Sequence, residues 1–211
     1  MDATQGSEAW IKIRLGRCTA SRVADALAKL KTGGWGESRH RYRRQLVTER
    51  LTGVLAKKYQ SESMLYGIET EAKARNRYAL LFETVTEAGF YPHPGIMMAG
   101  ATPDGLIGNE GLLEIKCPDS ETHVDTLSGV GISGRYLTQI QFQLACTQRQ
   151  WCDFVSFDCR IQRLEMQLWR QRIYRDDKKI KELEDGVRGF LAEVDEVVAN
   201  LAKRFPMTEA A

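Results

Sequence analysis

The sequence predicts an α/β (α+β) fold in which a central mixed β-sheet is flanked by helices. Apolar residues recur at helical spacing up to about residue 83, then alternate with polar residues as in strands, and return to helical spacing at the end of the chain. The chain has 211 residues, 43% of them apolar, which is a globular composition and a length suited to one large domain. A sheet covered by helices on both sides is the simplest way to bury this order of elements.

The first part of the chain is predicted to be helical. Ser21 is a suitable N-cap for the first helix, and the glycine-containing stretch 31–38 reads as a loop. Glu71 falls within the first two turns of the third helix. Helices are therefore expected over residues 21–30, 38–53 and 67–84.

From Thr84 onward the pattern changes to the two-residue period of strands. Three adjacent strands, expected to form an antiparallel meander, cover residues 84–93, 96–108 and 111–117. A short helix and loop should follow Pro118. The remaining predicted elements are a helix over 135–148, strands over 151–158 and 163–171, and a long amphipathic helix over 176–204.

Charge is distributed unevenly along the chain. Residues 1–60 contain 13 Lys and Arg against 5 Asp and Glu, although the net charge of the whole chain is only +2. A solvated basic helix is one explanation, and a surface for a polyanion such as DNA is the other. In the second case, basic side chains of this region would contact the DNA backbone without reading its sequence: Lys31, Arg39, Arg41, Arg43 and Arg44.

Cysteine and histidine usage limits the possible cofactors. The five cysteines form no CxxC pair, and the three histidines are far apart, so neither a disulfide framework nor a zinc site is indicated. Any metal is expected to be a hard ion held by carboxylates. The sequence contains no apolar run of 18 residues and no signal-peptide pattern, so we expect a soluble cytoplasmic protein with no membrane contact.

The strongest functional pattern is Asp104 followed ten residues later by the run Glu114-Ile115-Lys116. Side chains alternate along a strand, so Glu114 and Lys116 share one face while Ile115 points to the core. A turn over 108–111 would fold Asp104 back toward that face. Two carboxylates and an ammonium group are then expected to converge at a sheet edge. The alternative is an ordinary turn beside a solvated strand.

This grouping suits the hydrolysis of phosphodiesters. Asp104 and Glu114 can hold Mg²⁺ through hard oxygen ligands, and the metal lowers the pKa of a bound water. Lys116 can orient that water or help to deprotonate it, and can neutralise the negative charge of the transition state. If two ions bind, Glu71 is the obvious further carboxylate.

The chain resembles the PD-(D/E)xK nuclease superfamily, and within it the family of phage lambda exonuclease and its viral recombination relatives. The resemblance covers nearly the whole chain through blocks in the expected order: AWIKIRLGRCTAS, YGIETEAKAR, TPDGL, LEIKCP and YLTQIQFQ. It implies a restriction-endonuclease-like core over 66–160, within a single nuclease domain over 1–211. It also makes residues 1–60 a basic helical DNA-binding region.

The resemblance implies a role for each matched residue of the core. Asp104 and Glu114 match the ligands of Mg²⁺, for which Mn²⁺ would substitute, and the backbone carbonyl of Ile115 matches a further ligand. Lys116 matches the catalytic lysine. Two further residues are implied to lie beside the metals, the scissile phosphate or the lysine: Glu71 and Gln141.

Other matched residues imply recognition of a DNA end. Arg14 matches a residue that binds the terminal 5′-phosphate, to which the hydroxyl groups of Ser21 and Thr102 could add hydrogen bonds. Lys31 would contact the DNA backbone. Met64 matches an apolar wedge that helps to separate the terminal base pair, although a core methionine is an equally good reading.

The implied function is a Mg²⁺-dependent 5′-to-3′ exonuclease on double-stranded DNA that leaves a 3′ overhang for recombination. The family further implies a ring-shaped homotrimer, a single-strand annealing protein as partner, and a phage or prophage origin in a bacterial host. The first alternative is a structure-specific or restriction-type endonuclease with the same metal site. The second is a DNA-binding or annealing module without catalysis.

Overall fold

The computed structural model describes residues 7–56 and 62–206, apart from the side chains of residues 63 and 64. Its helices are α1 Glu8–Arg14, α2 Val23–Ala26, α3 Glu37–Thr52, α4 Glu62–Leu81, α5 Ser120–Leu127, α6 Gly134–Thr147 and α7 Asp177–Arg204. Its strands are β1 Cys18–Thr19, β2 Val85–Thr86, β3 Tyr91–His93, β4 Ile96–Ala101, β5 Gly105–Ile107, β6 Gly111–Lys116, β7 Trp151–Phe157 and β8 Leu168–Tyr174.

The strands form two sheets, and both contain parallel and antiparallel pairs. The larger has the order β2-β5-β6-β7-β8, in which only β6 and β7 are parallel. The smaller has the order β1-β4-β3, with β1 parallel to β4. The predicted class of mixed sheet and flanking helices is confirmed, with its strands divided between two sheets.

The predicted three-stranded meander is wrong except for its last hairpin. The expected strand 84–93 is divided into β2 and β3, and the expected strand 96–108 into β4 and β5, with the parts in different sheets. The second break falls at residues 102–104, where Pro103 has no N–H group to continue a ladder. Only β5 and β6 pair as predicted, from Gly105 opposite Leu113 to Ile107 opposite Gly111.

Three other predicted elements have different bounds. The helix expected over 21–30 is a 3-10 turn followed by the four-residue α2, because a Lys29–Trp35 bridge draws the next residues into a tight turn. Helix α4 begins at Glu62, five residues before its predicted start. Strand β8 begins later than predicted because Leu164–Met166 form a 3-10 turn.

Strand β6 lies in the middle of the larger sheet, and its two faces are covered by different helices. On one face, Leu113 and Ile115 pack with Ala74 and Tyr78 of α4. On the other face, Leu112 packs with residues of α6. Burial of these apolar side chains contributes to fixing the strand between two helices. The residues that follow β6 are thereby held at a defined place between α4 and α6.

A second apolar core joins the amino-terminal helices to the rest of the fold. Tyr42 and Leu46 of α3 pack with Phe190 and Val194 of α7, and the Tyr42 and Phe190 rings stack at 5.4 Å between centroids. Among the helices that the structure describes, none has the length and apolar character needed to cross a membrane.

Candidate active site

Asp104 is tied to the centre of β6 by two hydrogen bonds. The backbone N–H of Ile115 donates to Oδ2 of Asp104 at 2.7 Å, and the backbone N–H of Asp104 donates to the carbonyl of Leu113 at 3.2 Å. The Asp104 side chain thus binds the backbone of the residue between Glu114 and Lys116. The predicted convergence of Asp104, Glu114 and Lys116 is present.

Glu114 is fully buried on the central strand β6, so the expected sheet-edge position is wrong. Its carboxylate accepts hydrogen bonds on both oxygens. Lys116 Nζ and Gln139 Nε2 donate to Oε1, the latter at 2.5 Å. Gln143 Nε2 donates to Oε2 at 2.6 Å. A buried carboxylate requires such donors because burial alone disfavours its charge.

Lys116 lies where β6 reaches the surface, with 26% of its side chain exposed. Its ammonium group lies 5.2 Å from the centre of the Tyr136 ring. Burial lowers the pKa of Lys116, but the charges of Glu114 and Asp104 outweigh this effect and the net pKa is raised. Lys116 is therefore a fixed cation beside the two carboxylates.

Glu71 approaches the same cluster from α4 and is held by Arg75, one helical turn further on. Arg75 Nη2 donates to Glu71 at 2.7 Å, Nη1 donates to Glu87 at 2.7 Å, and Nε donates to the backbone carbonyl of Asp104 at 3.1 Å. Arg75 therefore links α4 to the turn that carries Asp104. The sequence did not predict this role for Arg75, because its only signal is its helical spacing from Glu71.

The donor set of this cluster fits a hard divalent cation. Burial raises the pKa of Asp104 well above its usual value, and the charge of Glu114 raises it further. Burial also raises the pKa of Glu71, an effect that Arg75 opposes and Glu114 increases. Burial and the neighbouring Glu114 both disfavour the charged forms of these carboxyl groups, and a cation bound by carboxylate oxygens would offset both effects. Within residues 7–56 and 62–206, no three acidic, histidine or cysteine side chains are already arranged around one metal position.

The prediction that Gln141 lies beside the metals, the scissile phosphate or the lysine is wrong, because its amide is bonded to the segment that joins β8 to α7. Its Nε2 donates to the carbonyl of Tyr174 at 2.8 Å, and its Oε1 accepts from the N–H of Asp176 at 2.9 Å. Residues four apart on a helix share a face, whereas residues two apart do not. Gln139 and Gln143 therefore face Glu114, and Gln141 points away from it.

Arg14 lines a cavity of about 380 Å³ between α1 and α3, in which two further arginines also take part. Its guanidinium group stacks on the Trp10 ring at 3.9 Å from the centroid. The Trp10 indole N–H donates to Oγ1 of Thr102 at 3.1 Å, two residues before Asp104. Burial lowers the pKa of Arg14, although charges of Tyr42 and Glu49 oppose this. Trp10 thus connects the arginine cavity to the chain segment of the acidic cluster.

Two other residues predicted to contact DNA, Ser21 and Lys31, lie in turns. Ser21 is half-buried in the 3-10 turn of residues 20–22, and Lys31 is exposed in the turn that follows Leu30. The side chain of Met64 lies outside the described part of the structure.

The basic run of α3 is mostly engaged within the protein. Arg39 is buried, donates to the carbonyl of Ala26 and pairs with Glu193 of α7 at 2.6 Å. Arg43 pairs with the same carboxylate at 3.3 Å. The predicted DNA contact by Arg39 is therefore wrong, because this side chain holds α3 against α7. Arg41 and Arg44 remain exposed.

The fold, with Asp104 held against a Glu-Ile-Lys run in the central strand, is that of the PD-(D/E)xK nucleases. The chain belongs to the YqaJ-like viral recombinase domain family, whose sequence pattern it matches over residues 9–150.

Solved structures agree with this assignment. An alkaline exonuclease from Laribacter hongkongensis, LHK-Exo, is 44% identical, with a TM-score of 0.87 over 94% of this chain and 97% of that one. The same values hold for LHK-Exo in complex with dAMP. A phage related exonuclease from Haemophilus somnus 129PT shares the fold at 13% identity, with a TM-score of 0.66 over 88% of this chain and 96% of that one. Among curated proteins, none matches the chain.

Proposed function

We propose that this protein is a Mg²⁺-dependent exonuclease that degrades the 5′-ended strand of double-stranded DNA and leaves a 3′ overhang for recombination by strand annealing. The observation that carries the proposal is the hydrogen bond from Ile115 N–H to Asp104, which places this carboxylate beside Glu114 and Lys116. Membership of a viral recombinase family and 44% identity to an alkaline exonuclease support it.

The residues of the cluster have distinct roles in this proposal. Asp104, Glu114 and the carbonyl of Ile115 would hold Mg²⁺ or Mn²⁺, and Glu71 would serve a second ion. Bound there, the metal would polarise the phosphate and make a water molecule more acidic. Arg75 orients Glu71 and fixes the backbone of Asp104.

Lys116 supplies the cationic group of the reaction. Its ammonium group, which donates to Oε1 of Glu114, would orient the attacking water by hydrogen bonding and neutralise charge that develops on the phosphate. Gln139 takes the place that the resemblance assigned to Gln141, because it donates to the same oxygen of Glu114 as Lys116 does.

The cavity at Arg14 is proposed to receive the terminal 5′-phosphate. A guanidinium group stacked on Trp10 presents a planar set of donors, which suits the oxygens of a phosphate. The hydroxyl group of Thr102 lies next to this stack, and Ser21 would add a second hydroxyl. Lys31, exposed on its turn, would contact the DNA backbone.

We also propose a ring-shaped homotrimer around the duplex and a single-strand annealing protein that receives the exposed strand. The resemblance to phage lambda exonuclease supports both. Encirclement of DNA would give processive degradation without tight binding at each step.

The proposal can be tested with a linear duplex labelled differently at its two 5′ ends and two 3′ ends. With Mg²⁺, the 5′ labels should be released as mononucleotides first, and chelation of the metal should stop the reaction. Cleavage of closed circular DNA at the same rate would favour the endonuclease alternative. Metal-independent binding without cleavage would favour the annealing module.

Recognition of the end can be tested with Arg14→Met. The variant should lose most of its preference for a 5′-phosphorylated end over a 5′-hydroxyl end, because the proposed phosphate ligand is gone. Arg44→Met removes the same charge from an exposed position on α3 and should keep the preference. Equal preference in wild type and Arg14→Met would place the phosphate pocket elsewhere.

A further inference from the structure

Gln143 is a fully buried side chain on the face of α6 that covers the acidic cluster. Its Nε2 donates to Oε2 of Glu114 at 2.6 Å. Within the part of the chain that the structure describes, its Oε1 has no hydrogen-bond partner. This amide is thus removed from water while only its donor end is satisfied by Glu114.

An apolar residue would suit position 143 better if the side chain only filled space. Leucine or methionine could pack there without leaving a carbonyl oxygen buried and unpaired, which is unfavourable. The contact with Glu114 is therefore the feature that distinguishes glutamine from such residues. Gln143 is also separate from Gln141, whose amide is bonded at both ends.

The two oxygens of Glu114 have different surroundings. Oε1 faces Lys116, which reaches the surface, and Gln139. Oε2 accepts from the buried Gln143. Rotation of the carboxylate would exchange these oxygens, and the bond from Gln143 opposes that rotation. Oε1 is thereby kept on the side of Lys116.

We propose that Gln143 is a positioning residue that holds Oε2 of Glu114 and thereby fixes the orientation of the carboxylate that would bind the cation. This inference rests on the proposed function of Glu114 as a metal ligand. Groups that orient metal ligands from behind are known to influence metal affinity strongly. Gln143 would act on the cation through Glu114 without touching it.

The test measures metal binding separately from cleavage. Gln143→Met has similar length but no hydrogen-bonding group, and Gln141→Met is the matched control on the same helix. Isothermal calorimetry with Mg²⁺ and no DNA should show about 10- to 100-fold weaker binding for Gln143→Met. At the Mg²⁺ concentration that suffices for the wild type, the kcat of Gln143→Met should fall while its KM for DNA stays unchanged. Gln141→Met should bind Mg²⁺ like wild type and lose only thermal stability.

Wild-type Mg²⁺ affinity and kcat in a folded Gln143→Met protein would overturn the proposal. If that variant fails to fold, Gln143→Asn keeps an amide that is one carbon too short to reach Glu114, and the same weakening is expected of it. Mg²⁺ binding by the wild-type chain without DNA cleavage would refute the exonuclease but leave the role of Gln143 measurable by calorimetry. No Mg²⁺ binding by the wild type would refute both.

Discussion

Two buried carboxylate clusters lie on the paired strands β6 and β7 but differ in charge balance. Asp153 of β7 is fully buried and accepts from Tyr78 Oη at 2.6 Å, from Arg172 at 2.8 and 3.0 Å, and from Arg170 at 3.1 Å. Burial raises the pKa of Asp153. The hydrogen bonds from Arg172 and Tyr78, together with the arginine charges, outweigh this effect, so the net pKa is lowered.

The cluster of Asp104 and Glu114 has the opposite balance. Its one ammonium group faces two carboxylates, with Glu71 nearby, and the pKa of Asp104 is raised well above its usual value by burial and by Glu114. The protein therefore neutralises Asp153 with its own arginines and leaves the other cluster short of positive charge. A buried carboxylate with complete compensation indicates a structural role, whereas an uncompensated group is a candidate for function.

The largest expected effect is the loss of DNA cleavage in the Glu114→Gln variant. The change keeps the shape of the side chain but removes the charge of a metal ligand, so cleavage should fall by at least about 100-fold. The rate of label release at saturating Mg²⁺ measures it. The matched substitution Asp153→Asn, on the adjacent strand, should leave the rate per folded molecule unchanged. Equal losses of activity in both variants would remove the distinction between the clusters.

Asp153→Asn should instead reduce stability. It leaves two arginines without their buried partner, and since each arginine side chain is about a third exposed, solvent compensates in part. We expect the free energy of unfolding to fall by about 1–3 kcal/mol at neutral pH. Urea unfolding monitored by circular dichroism measures this loss. An unchanged free energy of unfolding would mean that, in solution, water already replaces the bonds between Asp153 and the two arginines.

The stability lost in the Asp153→Asn variant should also depend on pH. Because the pKa of folded Asp153 is lowered, its contribution is fully present above the pKa of the unfolded residue, about 3.9, and is lost as the pH falls further. The stability difference between wild type and Asp153→Asn should therefore shrink from about pH 5 downward. A difference that is constant with pH would show that the charge of Asp153 is not what stabilises the fold.

The sequence predicted the side chains that meet in the cluster of Glu114 but not those that meet around Asp153. Glu114 and Lys116 are two residues apart on one strand, and strand alternation places them on one face. Asp153 and Arg172 belong to separate strands whose register no local pattern indicates. The same limit hid the pairing of Arg39 with Glu193, which lie 154 residues apart in the chain.

Helix periodicity explains the wrong choice of glutamine. The run Gln139-Ile140-Gln141-Phe142-Gln143 places an amide at every second residue, so its spacing does not by itself indicate which amides face the sheet. Burial of Ile140 and Leu144 against β6 and β7 fixes the rotation of α6 and directs Gln139 and Gln143 to Glu114. The class of fold and the acidic motif could be predicted, whereas the residues around Glu114 depended on packing between elements.

Trp10 connects the uncompensated cluster to the cavity at Arg14, and its variant carries the smallest expected effect. Trp10→Phe removes the hydrogen bond to Thr102 and weakens the stack with Arg14, because indole binds cations best among aromatic rings. One such hydrogen bond contributes about 0.5–1.5 kcal/mol.

Trp10→Phe should therefore raise the KM for 5′-phosphorylated duplex by about 2- to 10-fold and leave the KM for 5′-hydroxyl duplex nearly unchanged. Steady-state rates on the two substrates at saturating Mg²⁺ measure the ratio. Trp35→Phe is the control, since Trp35 stacks on Arg39, a different arginine that pairs with Glu193. A loss of kcat in Trp10→Phe without a change in this ratio would instead mean that Trp10 aligns Asp104. It would do so through Thr102, which accepts its hydrogen bond and lies two residues before Asp104.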